Sequence, residues 1–379
     1  MKSYVSSHLK DMNRQVVFRL ISEKGLTSKA EISKLTGIST PTVIKIISFL
    51  LDKGLILELG EGESAVGRKP QMLALNRDSL YSAVFFLEGE FLSLGIVDVT
   101  GEVRFRKTLN CEPHLPTVLD RISSGLIEGL FADANIDIEK MTGIGIALPG
   151  MYNPNKKEVF SAPLIGIDRP MNIAEQIRTL KNKYNVRIIV ENDANCQCLG
   201  QFVLSKMPQD SDLLFISVGT GLGAGLILDG KLRRGANSMC GEVGYMSFYS
   251  DYESDTSTPG WLESHASYRT LRDKYKISKN SDLSRLPAET IESAIEDMAS
   301  QLTLCINNII MLLDCSNVRI GGVVVDILGD RLVEEINKKF KRMSVNSVII
   351  KKQHNEDIGL IGIASMLSDE KIGIILAGE

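Results

Sequence analysis

Hydrophobic positions near the start of the chain fall in short, sharply punctuated groups. Val16, Val17, Leu20 and Ile21 recur at helical spacing, and Gly25 stops that pattern. Ser28 followed by Glu31 reads as a capping box opening a second short helix, with Ile32 and Leu35 turned inward. Gly37 supplies a tight turn, and Ser39 can cap a third helix running to about Leu51. The inner face of that helix is Val43, Ile46, Ile47 and Leu50, and its first exposed turns carry Thr40, Thr42 and Lys45. Gly54 ends it. Two apolar runs follow, Leu55–Leu59 and Met72–Leu75, joined by GEGESAVGRKP, a flexible hairpin tip ending in Arg68 and Lys69.

Helix, helix, short turn, helix and hairpin is the layout of a winged helix-turn-helix, whose third helix enters a major groove. Ser39, Thr40, Thr42 and Lys45 suit base edges and nearby phosphates, and Arg68 and Lys69 suit a phosphate or a narrow minor groove. The bland alternative is a protein-interaction module with a solvated basic face, in which the wing has no obvious use. Charge favours DNA. The first 70 residues hold 11 Lys or Arg against 7 Asp or Glu, a local +4, whereas the whole chain carries −4.

From about Leu80 the pattern alternates strand-like and helix-like segments, as in an α/β protein. Strands are predicted over Ala83–Phe86, Gly95–Asp98, Gly143–Ala147, Arg187–Val190, Leu213–Val218, Gly223–Leu228 and Val318–Ile320. Helices are predicted over Thr117–Phe131, Ala174–Tyr184 and Ser293–Leu313. No short-period repeat is visible. At 379 residues, 44% hydrophobic and 24% charged, two or three globular units fit. The sequence shows no membrane-spanning run and no secretory signal, so a cytoplasmic location with six reduced cysteines is expected.

Candidate chemistry clusters in three places. FISVGTGLGAGLILDGKL is dense in glycine, which lets backbone N–H groups crowd against an anion, although a tight β-turn needs glycine without any ligand. VENDANCQCLGQ sets Asn192 and Asp193 just past a strand end, where open α/β sheets bind ligands, although Asn-Asp is also a common turn or cap. RGANSMCGEVGY places Asn237 and Glu242 in a glycine-rich loop, and GWLESH adds Glu263. One amide and three carboxyl groups could converge on a polyhydroxylated ligand.

These motifs in this order resemble the ROK family (repressor, open reading frame, kinase), on the branch with an N-terminal DNA-binding domain. TGISTPTV, VGRKP, IALPG, VENDAN, GTGLGAG, RGAN, GEVG and the pair Gly321-Gly322 carry the resemblance over nearly the whole length. It implies residues 1–76 as the winged helix-turn-helix and 77–379 as an actin- and hexokinase-like body. That body has two α/β lobes and a sugar cleft near 190–265. By the family pattern Asn192, Asp193, Glu242 and Glu263 match sugar-binding residues, and Asp193 matches the general base of the kinases.

The departures narrow the reading. Phe86, Glu88 and Glu90 stand where the kinases have the Asp, first Gly and Thr of their phosphate loop, and Gly89 alone survives. Carboxylates there repel ATP phosphates, so no catalytic residue is assigned and no cofactor is expected. The family's zinc ligands are replaced by Tyr245, Ser254, Thr256 and Trp261, so no metal is expected. Tyr245 at the histidine position could instead give a sugar a hydroxyl or a stacking face.

The resulting expectation is a sugar-controlled transcriptional repressor of carbohydrate-utilisation genes, acting as a homodimer or homotetramer. Its partners are operator DNA and a sugar or sugar-phosphate effector, without membrane contact. The alternatives are a sugar kinase with an accessory DNA-binding domain and an architectural DNA-binding protein without a sugar response. Replacing Arg68 and Lys69 together by Ala should weaken binding to all DNA sequences and flatten the salt dependence by up to about two units of slope, measured by titration at several salt concentrations.

Overall fold

The structure is a computed structural model in which residues 2–61, 70–162, 165–167, 169–208, 210–248, 260–343 and 348–378 are described. The wing tip with Arg68 and Lys69, and Ser254 and Thr256, lie outside the described residues.

The head comprises α1 (Lys2–Lys24), β1 (Thr27–Ser28), α2 (Lys29–Thr36), α3 (Thr40–Asp52), β2 (Ile56–Glu61) and β3 (Gln71–Leu75). Strands β2 and β3 pair antiparallel as the wing, and β1 adds to the outer edge of β3. Ser28 caps α2 by accepting from the Glu31 N–H. The Glu31 carboxylate does not close the reciprocal half of the box, because it accepts from Thr27 Oγ1 and Lys24 Nζ instead. Gly37 ends α2 with φ +70°, a left-handed conformation in which its N–H reaches the Ser33 carbonyl. Val16 and Leu35, expected inside, are exposed. The head buries Val17, Phe18, Ile21, Ile32, Val43, Ile46, Ile47, Leu50 and Leu73.

Two lobes follow. The first contains β4 (Tyr81–Glu88), β5 (Phe91–Asp98), β6 (Val103–Asn110), α4 (Leu115–Arg121), α5 (Ile127–Ala134), β7 (Met141–Leu148), the small strands β8 (Met151–Asn153), β9 (Glu158–Ser161) and β10 (Met171–Asn172), α6 (Ala174–Tyr184), β11 (Arg187–Asn192) and α7 (Asp193–Leu204). The helix expected over 117–131 is broken by a wide turn at Ser124-Gly125, where Gly125 has φ +118°. The second lobe contains β12 (Leu213–Val218), β13 (Leu222–Leu228), β14 (Lys231–Leu232), α8 (Tyr268–Tyr275), α9 (Ala288–Leu313), β15 (Val318–Gly321), α10 (Val323–Met343), β16 (Ile350–Lys352) and α11 (Ile358–Ala377).

The two main sheets share one topology. Their orders, β11-β7-β4-β5-β6 and β14-β13-β12-β15-β16, both join an antiparallel meander to two parallel strands. One face of each sheet is covered by its own lobe's helices, α4, α5 and α6 in the first and α8, α9 and α10 in the second. The remaining faces are covered by exchanged helices. α7 follows a first-lobe strand but packs on β12 and β13, and α11 follows a second-lobe strand but packs on β4, β5 and β7.

The two exchanged helices also meet each other, backbone against backbone. A Cβ on Gly200 would overlap the Ile358 carbonyl, and one on Gly362 would overlap the Cys196 carbonyl. The far end of α11 reaches the head, where Leu376 is buried with Leu80 and Val99 in the head's own core. The head's core therefore extends beyond residue 76. Arg14, buried on α1, donates to the Leu376 carbonyl at 2.6 Å, and its guanidinium lies 3.6 Å from the ring centre of Phe49 on α3.

Gly200→Ala should cost about 3 kcal/mol or more in urea unfolding, because neither backbone can move aside without opening the lobe junction. Gly129→Ala, in an exposed turn of α5 with open space around it, should instead be neutral or stabilise by about 0.5–1 kcal/mol.

Candidate functional site

The cleft between the lobes is lined from both sides. Glu88, Pro149, Gly150, Asn192 and Asp193 come from the first lobe, and Gly219 to Gly223, Glu242, Tyr245, Glu263 and Arg269 from the second. The structure thus brings together Asn192, Asp193, Glu242, Glu263 and Tyr245 as the sequence suggested. Asn237 is exposed and does not line the cleft.

Asn192 and Asp193 sit where β11 passes into α7. The Asn192 side chain accepts from the Asn195 N–H at 3.0 Å as the helix cap, and its amide donates to the Gly150 carbonyl at 3.0 Å. The cap reading is therefore correct as local structure, and the same residue still borders the cleft. Asp193 Oδ1 accepts from the Ala194 N–H at 2.8 Å and the Asn192 amide at 3.1 Å. Oδ2 has no hydrogen-bond partner among the described residues. Burial pushes the Asp193 carboxyl up to about 7, the Ala194 N–H opposes this, and the carboxylates of Glu88 and Glu242 add to it.

Glu242 and Glu263 both line the opposite wall. Burial and then the neighbouring Glu263 push Glu242 up to about 7. Glu263 is also raised by burial, although its Oε2 accepts from the Leu222 N–H at 3.1 Å. Tyr245, 42% exposed, stands on the rim as the last residue of a single 3-10 turn. Trp261, at another position where the family has a metal ligand, stacks on His265 at 4.1 Å between ring centres. A phenol and an indole do not make a zinc site.

The glycines divide into two groups. Gly219 and Gly221 border the cleft, whereas Gly225 is required by packing, since a Cβ there would collide with Cys198 on α7. Two positioning residues were missed by the sequence reading. Glu191 is buried and accepts from the Asn192 N–H, the Asn195 amide and Arg234 Nε, at 2.9, 3.0 and 2.6 Å. It thereby ties the loop of the second lobe to the helix start that carries Asp193. A Glu beside Asn-Asp and an Arg 43 positions away gave no signal in the chain.

On the head, Ser39, Thr40 and Lys45 are exposed on the first turns of α3. Thr42 is half-buried, and its hydroxyl lies 2.9 Å from Ser39 Oγ, so it is less available than the pattern suggested. Pro41, Ile44 and Ser48 share the exposed face and were missed, although they fall opposite the inward set at helical spacing.

A two-lobed body whose cleft is lined with hydroxyl acceptors, joined to a winged helix-turn-helix head, defines the class of protein. Within it, the chain belongs to the ROK family, whose model matches residues 89–370. A second model, of winged helix-turn-helix DNA-binding segments, matches residues 13–56. The chain is 28% identical over 361 residues to a xylose repressor of Caldicellulosiruptor bescii, covering 89% of each. Among solved structures it resembles a ROK family transcriptional regulator that is a homologue of the Escherichia coli MLC protein. That likeness has a TM-score of 0.77 at 23% identity, over 98% of this chain and 100% of the other. It also resembles a ROK family glucokinase from Streptomyces griseus solved with glucose and AMPPNP. There the TM-score is 0.61 at 22% identity, over 76% of this chain and 98% of the other. Among the described residues, no helix is long and apolar enough to cross a membrane.

Raised carboxyl groups make stability fall with pH. Folded Asp193 and Glu242 hold protons that the unfolded chain releases above about pH 4, so their contribution is full below that value and is lost as pH rises through about 7. The ligand-free melting temperature should therefore drop between pH 5 and 8. Asp193→Asn or Glu242→Gln should flatten that drop, as read by calorimetry.

Proposed function

We propose that this protein is a transcriptional repressor of carbohydrate-utilisation genes, controlled by a sugar or sugar phosphate bound in the cleft. The observation that supports this best is α11, which joins the cleft to the head. Its first turns cross α7 behind Asp193, and its last turn completes the head's core and accepts from Arg14. Arg14 in turn lies against Phe49 on α3. A change of angle between lobes is carried by α11 to the helix that reads DNA.

Asp193 Oδ2, Glu242 and Glu263 are acceptors in their ionised form, and sugar hydroxyls are the donors that suit them. Tyr245 on the rim adds a flat face. Ser39, Thr40 and Lys45 contact operator DNA, with Thr42 positioning the start of α3 through Ser39 and with Arg68 and Lys69 on the wing. One recognition helix per chain calls for at least a dimer, in which head spacing decides operator fit. The protein works in the cytoplasm, where its operator is.

The kinase alternative meets a specific obstacle. Phe86 is buried against Gly359, and Glu88 occupies the place of the phosphate loop's first glycine, so phosphoryl transfer is not part of this reading. Asp193 then binds sugar without serving as a base.

Asp193→Asn tests the reading, because it leaves Oδ1 able to accept from Ala194 and Asn192 but turns Oδ2 into a donor. Sugar affinity should fall by about 1–3 kcal/mol, roughly 5- to 150-fold, while operator binding without sugar stays near that of the parent. Operator-binding titrations against D-xylose and D-glucose measure both quantities. An unchanged sugar midpoint removes Asp193 from the site, and loss of sugar-free operator binding assigns it a structural role. No effect of any sugar on the parent would favour the architectural alternative.

A further inference from the structure

The cleft holds one carboxylate more than the set inherited from the family. Glu88 ends β4, and its Oε1 lies 3.6 Å from where a Cβ on Gly219 would stand. It makes no hydrogen bond or ion pair with any described residue. Burial raises its pKa, Lys279 opposes that, and Asp326 adds to it. On one side Glu88 faces the cleft with Asp193. On the other it lines a second cavity of about 530 Å³ that includes Lys279 and Asp326.

The hairpin turn from Gly219 to Leu222 is where backbone N–H groups would receive an anion. The protein's own carboxylates already hold that ground. The Leu222 N–H donates to Glu263 at 3.1 Å, Glu88 stands over Gly219, and Gly89 lies beside the Thr220 hydroxyl. Among the described residues lining the cleft, Arg269 is the one cation, and it is exposed on the rim where its charge acts on Glu263.

We propose that Glu88 is a specificity residue that restricts the cleft to uncharged sugars and turns away sugar phosphates. This rests on the effector reading above and decides between the two chemical classes it leaves open. A phosphate monoester near the hairpin would lie among Glu88, Asp193 and Glu263. Repulsion at a few ångströms in a partly screened site cuts affinity by on the order of 100-fold. An uncharged sugar meets the same groups as acceptors for its hydroxyls. Discrimination therefore comes from a repulsive element built into the site as well as from the contacts that attract.

The test is calorimetric titration of the full-length chain at pH 8 with two pairs of probes, D-glucose against D-glucose 6-phosphate and D-xylose against D-xylose 5-phosphate. The parent should bind the uncharged member of at least one pair about 30-fold or more tightly than its phosphate. Glu88→Gln, which keeps the shape and removes the charge, should narrow that ratio about tenfold. Glu88→Gly, which places the kinases' residue there, should narrow it likewise and serves if the first variant does not fold. The ratio is the readout, since either affinity alone would also respond to a general loosening of the cleft. Equal binding of sugar and sugar phosphate by the parent overturns the proposal, as does a ratio unchanged in a folded variant. Failure of the parent to bind any of the four probes overturns the effector reading itself, which is a distinguishable result.

Discussion

The molecule depends on the exchange of two helices between its lobes. α7 leaves the first sheet and covers the second, α11 does the reverse, and the two cross where Gly200 and Gly362 remove the side chains that would hold them apart. Neither lobe can bury its inner face alone. Val84, Phe86, Val97 and Ala147 of the first sheet are covered by Leu360, Ile363 and Leu367 of α11. Leu213, Phe215 and Ile227 of the second gather with Cys198 of α7 and Ile358. The cleft lies at this junction, so the cleft's shape and the lobe angle are set by the same packed backbones.

The charge balance of the cleft follows from the burial this arrangement imposes. Asp193, Glu242 and Glu263 are brought together by separate loops into a space where ionisation is unfavourable. A ligand that donates hydrogen bonds to all three relieves part of that penalty. Glu191 avoids the problem by taking Arg234 as a partner, together with two N–H donors. Two carboxylates only two positions apart thus play opposite parts, one holding the loops and one facing the cleft.

Much of the head was legible because its signals are local. The Ser28 cap, glycine turns and one-sided helices mark α2, α3 and the wing strands without reference to distant residues, although Ser39, expected to cap α3, makes no side-chain capping bond. Strands β4, β5, β12 and β13 and helix α6 were legible for the same reason, whereas β6, with a largely exposed polar face, and the two-residue β14 were not predicted. α11 gave no periodic signal because it is apolar on nearly every side, buried in the body along its first turns and in the head at its last. α7 was hidden by glycine and cysteines that suit close packing more than helix propensity. The common topology of the two lobes left no repeat, since strand order constrains hydrophobic pattern and not residue identity. Asn192, Asp193, Glu242 and Glu263 stood out in their own motifs and Tyr245 through the family resemblance, while Glu191 and Arg234, which hold the cleft without facing it, did not stand out.

The manner in which the head is completed has a consequence for how the protein is made. Arg14 and its carbonyl partner on Leu376 are separated by 362 positions, and Leu376 fills part of the core beneath α3. During synthesis the head's own helices emerge first, yet the surface awaiting α11 stays uncovered until both lobes have left the ribosome and folded. Until α11 docks, α3 therefore stands over a core that lacks Leu376 and beside an Arg14 without its carbonyl partner. The base of α3 is completed last, and the segment that completes it is α11, which also packs the junction between the lobes.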